Sequence, residues 1–307
     1  MSNFYVGVSL RSNRYSRMES RFNEMLDVIR HVHDELDGNA VQIYLGDATN
    51  TQRKIIDSSL LTPIRDLIVK LDMKIFVHAS MALDFCKPPK MNRGSINSYV
   101  NELKNCDVIG APGAVLHMGI YYSKRIQQSN MKISYSNSFN NFIASMKEII
   151  KEKRRRKIDA KIILETPAQF SKICTSFEHM ALLFNSLSND EQRDVSFCID
   201  TAHLHSSGYD IRESEMAKDV FLHWDSIIGL DRVTLIHYND SVYEIGTGVD
   251  QHAVPGYGYI GDKEKGGGDG LISIAKIAKK YDIPLIQETK DDDFKTRIAD
   301  IKKWSEN

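Results

Sequence analysis

In the stretch Cys198-Ile199-Asp200-Thr201-Ala202-His203 an aspartate stands three residues before a histidine, directly after the apolar run Val195-Ser196-Phe197. The pattern recurs along the chain. His78 ends KIFVH, His117 ends AVLH, Glu165 ends KIILE, His237 lies near the end of VTLIHY, and Glu288 ends LIQE, while Asp250 and His252 stand two apart in the stretch beyond His237. A single histidine at a strand end is ordinarily a hydrogen-bonded core residue, and a lone glutamate is ordinarily salt-bridged. Five imidazoles and four carboxylates gathered at one place are different. An isolated ionised carboxylate costs many kcal/mol to desolvate, so such a set requires a cationic partner. Metal ions are the economical answer. Imidazole with carboxylate suits zinc, with manganese or iron as alternatives, and the lack of thiolates in the set argues against a purely structural zinc site. Nine ligands exceed the needs of one ion; with a bridging carboxylate they could hold two or three and leave positions for water or substrate. Four carboxylates against three divalent ions leave a net charge of +2, which would attract a phosphate.

The elements that must position these groups read as eight strands. They are Tyr5–Leu10, Val41–Leu45, Lys74–His78, Ala114–His117, Lys161–Glu165, Val195–Asp200, Val233–Tyr238 and Leu285–Glu288. Most are continuously apolar, as in parallel strands buried on both faces. Their starts lie 33 to 52 residues apart, enough for a crossover helix and two loops. Helical stripes fill the gaps: Met18 to Leu36, stopping before a C-terminal glycine at Gly38; Phe139 to Ile150; and Met216, Val220, Phe221, Trp224, Ile227 and Ile228. Eight such units predict an α/β protein, a (β/α)8 TIM barrel formed as a single domain over residues 1–307, with the metal site at the C-terminal face of its strands. The glycine-rich segment Lys263–Gly270 reads as a flexible loop, and the basic run Lys153–Lys157 as a solvated helix end on the opposite face.

Composition sets the outer bounds. Apolar residues make up 42% of the 307 and charged ones 26%, as in ordinary globular proteins, and no apolar run approaches the ~20 residues of a membrane span. The N-terminal residues carry no basic segment followed by an apolar core, and the four cysteines show no C-x-x-C spacing, so we expect reduced thiols and an intracellular setting, cytoplasmic, nuclear or viral, rather than secretion. The net charge of −1 gives no global basic footprint, so any anionic ligand must be attracted locally.

The segments VHAS at Val77–Ser80, LHMG at Leu116–Gly119, LETP at Leu164–Pro167, CIDTAH at Cys198–His203, HYNDS at His237–Ser241, DQH at Asp250–His252 with GYGYIG at Gly256–Gly261, and QETK at Gln287–Lys290 resemble the endonuclease IV family. The likeness runs in order from the third strand to the eighth and is weak over the first two. It implies a trinuclear-zinc apurinic/apyrimidinic endonuclease of base excision repair, acting as a monomer on double-stranded DNA that contains abasic sites. The expected reaction is hydrolysis of the phosphodiester 5′ to the abasic site, leaving a 3′-hydroxyl and a 5′-deoxyribose phosphate; 3′-phosphodiesterase and 3′-5′ exonuclease activities are compatible with it. By the same resemblance His78, His117 and Glu165 hold one zinc, Glu165 bridges to a second held by Asp200, His237 and Glu288, and His203, Asp250 and His252 hold the third. Glu288 is expected to assist the attacking water, with Glu165 as the alternative catalytic carboxylate. His205 has no role in the family.

For DNA contact, Tyr121, Tyr122, Lys124 and Arg125 in the Gly119–Phe139 loop are candidates. Better-known family members push an aromatic and an aliphatic residue into the duplex shortly after the third-strand histidine. Here Ala79-Ser80-Met81-Ala82 stands at that place, leaving Met81 alone, and the expectation is that Arg53 compensates. The competing reading is a metal-dependent sugar isomerase or epimerase on the same barrel. It is disfavoured by the third-ion set, His203 with Asp250-x-His252, which a one- or two-metal isomerase does not need.

Overall fold

The computed structural model describes residues 4–10, 18–121, 134–168, 170, 172–290 and 293–306. Eight parallel strands close on themselves in chain order: β1 (Val6–Leu10), β2 (Ala40–Ile43), β3 (Lys74–His78), β4 (Gly113–Leu116), β5 (Lys161–Glu165), β6 (Val195–Asp200), β7 (Val233–His237) and, as the eighth barrel strand, β10 (Leu285–Gln287), which pairs with both β7 and β1. A two-residue antiparallel pair, β8 (Asp240–Ser241) with β9 (His252–Ala253), lies in the long connection between the seventh and eighth barrel strands. The helices are α1 (Met18–Asp34), α2 (Ser58–Lys70), α3 (Pro89–Ile109), α4 (Tyr135–Arg155), α5 (Phe177–Asn185), α6 (Thr201–Ser206), α7 (Ser214–Ile227), α8 (Gly270–Lys280) and α9 (Phe294–Trp304). No described helix is long and apolar enough to cross a membrane. The eight expected strands are all present, three with the expected bounds and the others with ends shifted by one or two residues.

The apolar residues divide into two clusters. The larger fills the layer between strands and helices. The smaller contains one residue from each of seven strands, Ala40, Phe76, Val115, Ile163, Cys198, Leu235 and Ile286, and plugs the barrel. Side chains alternate across a strand, so the residue two positions further on points to the same side. Those residues are Gln42, His78, His117, Glu165, Asp200, His237 and Glu288. The polar layer is therefore stacked directly on the apolar plug, one pleat along.

Four local expectations need correction. The left-handed residue after α1 is Asp37 (φ 56°), a residue type that tolerates this conformation, and not Gly38. Gly38 is required for another reason: a Cβ there would come within 2.8 Å of Val32 Cγ1. In the glycine-rich segment Lys263–Gly270 only the first half is an exposed loop; the second half is packed, since a Cβ on Gly270 would lie 1.8 Å from the Ile211 carbonyl oxygen and one on Gly268 2.6 Å from Glu213 Oε1. In α7 the buried face is Ala217, Phe221 and Trp224, while Met216 is exposed. Within the basic run, Lys153 is buried and paired with Asp194, which Arg154 also engages at 2.6 Å. This ties the end of α4 to the turn that precedes β6.

Candidate metal centre

His78, Glu165, Asp200 and His237 are the last residues of their strands, and His117 and Glu288 immediately follow theirs. Three groups of ligand atoms result, each within 4.8 Å of one another: His78, His117 and Glu165; Glu165, Asp200, His237 and Glu288; and Asp200, His203 and His252. Glu165 belongs to two of them. Asp250 falls outside the third group but its Oδ1 lies 3.1 Å from His203 Nε2 and 3.3 Å from His252 Nε2. All nine expected ligands are thus brought together.

The donor geometry fits cations. Glu165 Oε2 is fully buried, 2.9 Å from His117 Nε2 and 3.4 Å from His78 Nε2, yet no N–H is directed at it. His203 Nε2 and His252 Nε2 face one another at 3.4 Å. Lone pairs converging on shared points in this way are what a metal ion satisfies.

The electrostatics make the same point. Burial alone would raise the Glu165 carboxyl, but His117 and His237 outweigh it and hold it well below the usual carboxylate range. Burial lowers His203, and Asp200, Asp250 and Glu165 more than reverse this, pushing it up to about 10. Against its burial, His237 is raised by Cys198 and then by Glu288 and Glu165, and His252 by Asp200 and Asp250, while Asp250 and Glu288 are lowered by imidazoles against their own burial. His117 goes the other way, depressed chiefly by burial. The carboxylates therefore draw positive charge into the cluster, as protons or as metal.

Several supporting residues escaped the sequence reading. Gln42 is fully buried, donates from Nε2 to Glu288 Oε1 at 2.7 Å and presents Oε1 to His237 Nε2 at 2.9 Å. A lone glutamine inside the apolar run VQIYL was its signal. Asn239 donates to Asp200 Oδ2 and accepts from the Glu288 backbone N–H, both at 2.8 Å, so one amide couples the sixth and eighth strands. The Thr166 hydroxyl accepts from the Asp200 N–H at 2.9 Å, and its carbonyl faces His203 Nδ1 at 2.7 Å, turning Nε2 toward the cluster. Asp240 accepts backbone hydrogen bonds from Ser241, Gly256, Gly258, Ile260 and Gly261, which shapes the GYGYIG loop around a single buried carboxylate. His205 is buried but joins none of the three groups; burial, then Arg212, pushes it down to about 4, so it is neutral.

The expected DNA contacts fare differently. Arg53 is buried, and its guanidinium bonds the Asn50 and Asp47 carbonyls and lies 2.9 Å from Glu102, without direct N–H alignment. It is spoken for, and the expectation that it fills a gap in the duplex is set aside. Breaking a buried ion pair costs about 3–5 kcal/mol. Arg53→Ala should accordingly lower stability by about 3 kcal/mol in denaturant melts while the folded protein keeps its DNA affinity within a few-fold. Full stability with lost affinity would restore the original role. Met81 is on the surface at 36% exposure. Tyr121 is half-buried, its ring 5.0 Å from that of Tyr135. Tyr122, Lys124 and Arg125 lie outside the described residues. An aromatic not singled out by the sequence, Phe170, is 53% exposed in the loop after β5 and rests against Gly248, where a Cβ would come within 2.6 Å of its ring.

Barrel and site together define a xylose isomerase-like TIM barrel, the description of the family model that matches residues 34–306. The chain is 33% identical over 253 residues to a protein of Acanthamoeba polyphaga mimivirus named as an endonuclease 4, a match covering 81% of this chain and 76% of that one. The crystal structure of endonuclease IV from Thermus thermophilus superposes with a TM-score of 0.75 at 20% identity, covering 98% of both chains. A D-tagatose 3-epimerase-like protein also superposes, with a TM-score of 0.68 at 15% identity, covering 98% of this chain and 96% of that one. Shape alone therefore does not separate the two chemistries. The chain belongs to the endonuclease IV family.

Proposed function

We propose that this protein is a zinc-dependent AP endonuclease that hydrolyses the phosphodiester 5′ to an abasic site in double-stranded DNA, leaving a 3′-hydroxyl and a 5′-deoxyribose phosphate. The observation that carries the reading is the third ligand group. Asp200, His203 and His252 converge, with Asp250 against both imidazoles, and an isomerase working with one or two ions has no use for it. His78, His117 and Glu165 would hold one zinc; Glu165 would bridge to a second at Asp200, His237 and Glu288; His203, Asp250 and His252 would hold the third. When bound, the ions supply Lewis acidity, activating water at neutral pH and neutralising charge on the phosphate and the leaving oxygen.

The chain's own residues do the positioning. The Glu288 side chain retains 13% exposure and reaches the mouth, whereas Glu165 is sealed in at 1%. That exposure supports Glu288 as the carboxylate that takes a proton from attacking water. Gln42 holds the Glu288 carboxylate through Oε1, and Asn239 anchors the backbone N–H of the same residue. Extrusion of the target nucleotide is cheapest where the base is already missing, so part of the selectivity resides in the substrate.

With Arg53 buried, opening of the duplex falls to exposed rim side chains, Met81 and Phe170. Stacking of a base on an aromatic side chain is worth ~1–3 kcal/mol. Phe170→Ala should weaken binding to an abasic duplex by about tenfold and Met81→Ala by less, with little change on a single-stranded abasic oligonucleotide, which has no stack to hold open. Equal losses on both substrates would place the wedge elsewhere. The function itself is tested by incubating metal-replete protein with an end-labelled abasic duplex and, in parallel, with ketose and aldose sugars. Incision leaving a 3′ end that a polymerase can extend is expected. Sugar interconversion without incision would overturn the reading in favour of the epimerase class.

A further inference from the structure

Lys172 is not part of the nine-residue cluster and was not suggested by the family likeness, yet it is buried beside it, with a relative exposure of 5%. A buried ammonium ordinarily has a carboxylate or several carbonyls around it, because removing the charge from water is costly. Among the described residues Lys172 has neither. Its hydrogen-bond-distance neighbour is His117 Nδ1, 3.5 Å from Nζ. The other nitrogen of that ring, Nε2, is turned to Glu165 at 2.9 Å and is the atom available to a metal. A neutral imidazole ligating through Nε2 carries its hydrogen on Nδ1. The Nδ1–H and the ammonium are then two donors side by side with no acceptor between them.

The placement of Lys172 is set by backbone contacts. It bridges in antiparallel fashion to Ile120, three residues beyond His117, and the Ile173 N–H donates to the Gly119 carbonyl at 2.9 Å. Two residues on, the Cys174 N–H donates to the Tyr135 hydroxyl at 3.1 Å. The loop after β5 is thereby sewn to the segment after β4. His117 itself keeps 16% side-chain exposure, so its ring is not sealed off as Glu165 is at 1%.

We infer that Lys172 binds a non-bridging phosphate oxygen of the DNA backbone next to the metal centre, its ammonium and the His117 Nδ1–H supplying hydrogen bonds that the protein leaves without acceptors. The inference rests on the nuclease reading, since a neutral sugar offers no anionic oxygen. It adds to the metal centre a fixed protein charge that contacts substrate and makes no metal bond, so its loss acts on binding before it acts on chemistry.

The test compares wild type with Lys172→Met and Lys172→Arg. The half-saturating enzyme concentration in single-turnover incision of an abasic duplex is measured from about 50 to 200 mM KCl, together with fluorescence-anisotropy affinity for the already incised duplex and bound metal per chain. Each neutralised phosphate contributes about 0.9 to the slope of log affinity against log salt. Lys172→Met is expected to raise half-saturation and anisotropy Kd by about tenfold and to lower the salt slope by about one, with metal content unchanged; Lys172→Arg should stay close to wild type. An unaltered salt slope would overturn the inference, and so would loss of metal from Lys172→Met, since either result assigns the lysine to holding His117 in place. Wild-type protein that neither binds nor incises the duplex would instead remove the nuclease reading on which the inference stands.

Discussion

Glu288→Gln is expected to lower the single-turnover incision rate by about 10²–10⁴-fold, the usual range for loss of a positioned general base, while abasic-duplex affinity stays within a few-fold. The glutamine preserves side-chain volume and keeps an oxygen for the Gln42 amide, which donates to Glu288 Oε1 at 2.7 Å, so the supporting contacts survive. What disappears is one negative charge at the reacting centre. The control is Glu165→Gln. Glu165 faces His78, His117, His203 and His237 at 3.4, 2.9, 3.4 and 3.1 Å, and its neutralisation should release metal as well as abolish turnover. A Glu288→Gln variant that cuts within a few-fold of wild type would remove that residue from the proton-transfer role and leave Glu165 as the candidate.

Stripping the metal should have the second largest effect. Native protein is expected to carry about three zinc ions per chain by elemental analysis after desalting, and exhaustive chelation should abolish incision and lower thermal stability together. An ion that binds only the folded state at about 1,000 times its Kd stabilises by ~4 kcal/mol. Four buried or half-buried carboxylates, Glu165, Asp200, Asp250 and Glu288, lose their divalent partners at the same moment and must rely on imidazolium. Re-addition of zinc should restore both properties. A stoichiometry near one with full incision would contradict the three-site assignment, and undiminished cutting after chelation would contradict metal dependence altogether.

Six of the nine candidate ligands, His78, His117, Glu165, Asp200, His237 and Glu288, were legible in the sequence because each stands at the end of an apolar run, where a charged residue has no reason to be unless something pairs with it, while His203, Asp250 and His252 stand in the segments beyond the strands. The supporting residues were harder to see. Gln42 gave a similar signal, but one glutamine in a short strand does not announce its partners, and His237 and Glu288 are 195 and 246 residues away. Arg53 was misread for the converse reason. Its local segment, Thr51-Gln52-Arg53, looks like an exposed helix approach, and its counter-charge Glu102 sits in the middle of α3, far along the chain. Lys172 could not be read at all: a lysine in a polar loop is unremarked until the backbone bridge to Ile120 brings it beside His117. Local pattern reports what a residue does to its own element. It is silent on charges that meet only after the barrel has closed.

The register of the strands governs how such a protein can change. In seven strands a mouth residue follows a plug residue by two positions, from Ala40 and Gln42 round to Ile286 and Glu288. Inserting or deleting a single residue between the members of any pair would turn the mouth residue toward the surrounding helices and bring an apolar neighbour into its place. Variation there is confined to exchange of one side chain for another at constant length. The loop after β5, which carries Phe170 and Lys172, is under no such constraint and can lengthen or shorten without moving a ligand off its strand, whereas the stretch from Ser241 to His252 carries Asp250 and His252 and must keep both against His203. Substrate range can therefore drift along the rim while the chemistry beneath it stays in phase.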